Sequence, residues 1–63
     1  MNEQVRQELR QEAIVALGGY LATGLNGFKQ KAQDRLNVLG VYVTIHGREQ
    51  AETIVRGLRE GVI

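Results

Sequence analysis

The chain predicts an α+β fold, mainly helical, in the order helix, glycine-rich bend, helix, one short strand, helix. Three observations predict it. Apolar residues recur at intervals of three and four in three separate stretches, the signature of helices with one buried side. Glycines at positions 18, 19, 40, 47 and 61 punctuate those stretches. Between the second and third stretches lies Val41-Tyr42-Val43-Thr44-Ile45, β-branched or aromatic at every position, which is the composition of a strand.

The first helix starts at Asn2, a good N-cap, with Glu3 in the first turn where the helix dipole favours a negative charge. It is expected to run to about Leu17 or Leu21. Val5, Leu9, Ala13, Ala16 and Tyr20 fall on one side of the wheel, and Gln4, Glu8, Gln11 and Glu12 lie opposite. From Ala13 to Leu17 the residues are apolar in every direction, so this turn, Val15 included, is expected to be buried all round. Gly18-Gly19 either ends the helix in a left-handed cap or permits a close helix crossing. Leu25, Phe28, Ala32, Leu36 and Leu39 then form the apolar stripe of a second helix, with Thr23 or Asn26 as candidate caps. Gly40 is placed to end it in a Schellman turn with Val41 as the hydrophobic partner.

In the strand, Val41, Val43 and Ile45 share one face. Gly47 breaks it, and Arg48 to Glu60 form a third helix with Ala51, Ile54, Val55, Leu58 and Val62 on one side. Glu52 and Arg56 stand at i and i+4 in the favourable order, a surface pair worth a few tenths of a kcal/mol, about 0.3. No internal repeat or linker divides residues 1–63, which read as a single small domain.

Composition narrows the function. The chain has 63 residues, 43% of them hydrophobic, with no Cys, no Pro and no Trp. A chain of this size buries roughly 60% of its unfolded surface. At about 25 cal/mol/Å² of apolar area, the gain of roughly 90 kcal/mol is matched by an ordering cost of the same size. Disulfides cannot supply the difference, and one His with no Cys argues against a structural metal. Association with copies of itself, or with a larger protein complex, is therefore expected.

The formal net charge is +1. It is unevenly spread: residues 1–24 carry two Arg and three Glu (net −1), and residues 25–63 carry six basic and four acidic groups (net +2). The stretch from Ala13 to Phe28 has no charge and four glycines. As a helix it would reach about 24 Å, short of the roughly 30 Å of a hydrocarbon core, so a membrane role is not expected. The N-terminus lacks the basic start and apolar run of a secretion signal, and a location in the cytoplasm, or as a virion component, is expected.

No catalytic, cofactor-binding or metal-binding residues are expected. There is no Ser or Cys to act as nucleophile, and Thr23, Thr44 and Thr53 have no base beside them in the pattern. His46 stands alone between strand and helix. The carboxylate pairs Glu8/Glu12 and Glu49/Glu52 each supply two ligands where a metal needs at least three. The glycines lack phosphate-loop spacing, and no strand precedes them.

The one strand is the informative feature, because a lone extended segment leaves two edges of backbone N–H and C=O groups without partners. The expectation is a non-enzymatic, homo-oligomeric assembly or adaptor subunit, possible in a bacterial or phage complex. Its contacts are assigned to the strand, the third helix and the uncharged Ala13–Phe28 segment, with Val41, Val43, Ile45, Ile54, Val55 and Leu58 as interface residues. Two alternatives stand beside it. One is a dimeric nucleic-acid-binding regulator using Lys29, Lys31 and Arg35; the other is a small inhibitor that adds its strand to a partner's sheet.

Overall fold

A computed structural model describes all residues, Met1–Ile63. Three helices account for the fold: α1 (Glu3–Thr23), α2 (Asn26–Val38) and α3 (Arg48–Glu60). There is no β-strand, so the expected α+β class is corrected to all-α.

Asn2 caps α1 as expected, its Oδ1 accepting the Val5 N–H at 2.8 Å. The helix does not stop near Leu17 or Leu21. It passes through Gly18 and Gly19 and ends only at Gly24, whose φ of 75° is the left-handed conformation that favours glycine. The magnitudes explain the continuation. Two interior glycines cost about 2 kcal/mol relative to alanine, whereas burying Leu17 and Tyr20 on either side of them gains about 1.5–3 kcal/mol each. The bend is therefore Gly24-Leu25. Neither expected residue caps α2: Thr23 uses its hydroxyl to accept the Leu25 N–H at 3.2 Å, and Asn26 is the first residue inside the helix.

α2 ends in a Schellman turn. The Val41 N–H donates to Leu36 O at 2.8 Å and the Gly40 N–H to Asn37 O at 3.0 Å, with Gly40 at φ 86°. α3 ends in the same way at Gly61.

Both flanking helices run antiparallel to α1. Glu12 pairs with Arg35 at 3.1 Å and Gly19 lies under Phe28, which sets α2. Arg10 reaches Leu58 O at 2.7 Å while Arg48 reaches Leu21 O, which sets α3. α2 and α3 are therefore parallel, and the chain between them must travel back the length of a helix. Thirteen helical residues span about 20 Å, and six extended residues span about the same. This accounts for Val41–His46: the strand-like composition encodes an extended return path, not a member of a sheet.

Along this return path burial alternates. Val41 and Val43 are half-buried and Ile45 fully buried, while Tyr42, Thr44 and His46 are exposed. The backbone donors at its far end are satisfied by side chains. Gln33 of α2 accepts the Ile45 N–H at 2.8 Å, and Gln50 of α3 accepts the His46 N–H at 2.6 Å.

The core gathers Ala13, Ala16, Leu17 and Tyr20 of α1, Ala32 and Leu36 of α2, Ile45, and Ala51, Ile54, Val55 and Leu58 of α3. No Cα of α2 lies within 8 Å of a Cα of α3, so α1 is the central element and the return path covers the gap above it. Several expected core positions lie outside. Val15 is 63% exposed, and Val5, Leu25, Phe28 and Val62 are exposed as well.

Candidate interaction face

A helix flanked on two sides and covered on a third has one side left over. On α1, Gln11, Val15, Gly18 and Ala22 fall within about 60° of one another and opposite the buried Ala13, Ala16, Leu17 and Tyr20. Gln11, Val15 and Ala22 are exposed and Gly18 is partly so. The face continues across the bend to Leu25, 60% exposed, and Phe28. Leu25, Gly27, Phe28 and Lys31 line a shallow depression at its end. From Val15 to Phe28 it carries no charge.

Phe28 is held there by the backbone of α1. A methyl group on Gly19 would sit 2.6 Å from Phe28 Cδ1, so the ring lies against the helix only because position 19 lacks a side chain.

The six residues expected at an interface lie elsewhere. Ile45, Ile54, Val55 and Leu58 belong to the buried core, and Val41 and Val43 pack against it. Their apolar pattern is used within the chain. Of the segments assigned to contacts, only Ala13–Phe28 presents apolar side chains outward. The missed residues could have been found from the wheel, since Val15 points away from the main stripe of α1. What hid them was the assumption that an apolar turn is buried on every side.

The basic residues do not assemble. Lys31 is exposed, Lys29 stands about 160° from it around α2 and is half-buried, and Arg35 is engaged with Glu12. The widest depression in the molecule runs between the N-terminal half of α1 and the end of α3 and is lined mainly by polar side chains. Arg10 lies across it, with its guanidinium committed to the carbonyls of Leu58 and Ile63. There it serves as a cationic cap on the C-terminal end of α3.

No group of three or more His, Cys, Asp or Glu side chains is placed to hold a metal ion. His46 is exposed and lies away from the uncharged face. No helix is long and apolar enough to cross a membrane. Comparison of the chain with protein-family models, curated proteins and solved structures finds no match.

Proposed function

We propose that this protein is a small homo-oligomeric assembly subunit that works by binding and not by catalysis, in the cytoplasm or as part of a virion. One observation carries the reading: an uncharged face with Val15 and Leu25 each about 60% exposed and Phe28 beside them, on a chain whose other helix faces are charged. Exposed apolar residues scattered singly are ordinary; a contiguous uncharged set around two glycines and an alanine is not.

The test is the native mass by sedimentation equilibrium over a hundredfold range of concentration, at low and at physiological salt. A defined oligomer insensitive to salt is the expected result, because the face has no charges to screen. A 7.0 kDa species at every concentration overturns the reading. The nucleic-acid alternative has less support, since Lys29, Lys31 and Arg35 do not form one patch.

A further inference from the structure

Gly18 has no use inside the protein. Gly19 admits Phe28, but a methyl group at Gly18 would meet nothing within 4 Å, and glycine weakens a helix interior relative to alanine. It lies at the middle of the uncharged face, one turn from Val15 on one side and from Ala22 on the other. We propose that two copies of this chain associate α1 against α1, with Gly18 at the point of closest approach. The inference rests on the self-association reading and adds the geometry of the contact.

Two arguments make the occupant a second copy. The face is self-complementary: Val15 and Leu25 project from it, while Gly18 and Ala22 leave a hollow in it. An isologous contact needs both features on one surface, so that each copy fills the other. The area also fits. A standard interface takes about 800 Å² from each partner, roughly one-fifth of the 4100 Å² surface of this molecule. A side running the 32 Å length of the 32 × 21 × 18 Å body supplies roughly that share and an end does not. The uncharged face lies along such a side.

Gly18→Leu tests the geometry because it separates close crossing from mere stickiness. It points into open space, so the monomer folds, and it enlarges the apolar surface. If copies cross closely at Gly18, the added side chain holds them apart and raises the dissociation constant at least about tenfold, a change of about 1.4 kcal/mol. Gly18→Ala is the companion variant, expected to raise the melting temperature of the monomer while weakening association, and it decides the question if the leucine variant misfolds. Tyr42→Asp, on the far side of the molecule, leaves the mass unchanged. Gly18 variants that associate as tightly as the parent, or more tightly, overturn the crossing and leave self-association standing. A parent chain that is monomeric throughout overturns both.

Discussion

Adjacent glycines in α1 have opposite reasons to be glycine, and substitution separates them. In the monomer, Gly18→Ala is expected to stabilise by about 0.5–1 kcal/mol, the ordinary helix-propensity gain. Gly19→Ala makes the same gain but drives a methyl group into the Phe28 ring, and overpacking costs about 1–3 kcal/mol. Its net effect is a loss. Urea unfolding of the two variants under dilute conditions checks the difference in sign. Gln33 offers a second residue-level test. Gln33→Leu leaves the Ile45 N–H without its acceptor and is expected to cost about 1–3 kcal/mol; Gln33→Glu keeps an acceptor oxygen and is expected to cost less. None of these roles was legible from position alone. Two glycines in tandem look alike in a sequence, and the partner of the Ile45 amide stands twelve residues away on another element.

At the level of elements, what could be read was the conformation of each segment, and what could not was its company. The bounds of α3 follow from Gly47, Gly61 and a clean apolar stripe, and Gly40 ends α2 because the chain needs a left-handed residue there. The alternation of Val41, Val43 and Ile45 correctly marks the inward face of an extended stretch. β-Branched composition reports a preference for extended backbone and says nothing about hydrogen-bond partners, so strand and return path look the same. The distinction is measurable. Ile45→Ala is expected to cost about 2–4 kcal/mol as a core truncation, while Tyr42→Ala and Thr44→Ala stay within about 0.5 kcal/mol. Amide hydrogen exchange should show Ile45 and His46 protected and Tyr42, Val43 and Thr44 exchanging freely. Protection across the whole segment would mean that it is paired after all. The same geometry changes what Ile45→Asp reports: with Ile45 in the core, it unfolds the chain before it tests any interface.

The whole molecule is more self-sufficient than its length suggests. Its 4100 Å² of accessible surface is close to the roughly 4,000 Å² that area scaling gives for a compact 7.0 kDa monomer. Association therefore covers a face of a finished fold, and the chain is expected to stay helical and to unfold cooperatively when diluted below the association range. Loss of helix in step with dissociation, followed by far-UV circular dichroism, would contradict this. Charge contributes little to the balance. The one ion pair, Glu12–Arg35, has side chains 45% and 33% exposed and is worth about 0–1 kcal/mol, so the urea midpoint should move little between low and moderate salt.

The separation of α2 from α3 has a consequence for how the molecule breathes. Two helices that never meet share no cooperative contact except through α1 and the return path, so the fold has two seams that open independently. The α1–α2 hairpin closes over a two-residue connection and forms from local contacts. The α3 seam joins residues 27 and 48 positions apart and is fastened at its two ends by Arg48 and Arg10. Sub-global opening therefore starts at α3, exposing the side of α1 that carries Leu17 and Leu21 while the hairpin stays closed. Protease susceptibility should follow that hierarchy, with cleavage in 48–60 preceding any cut in 3–38.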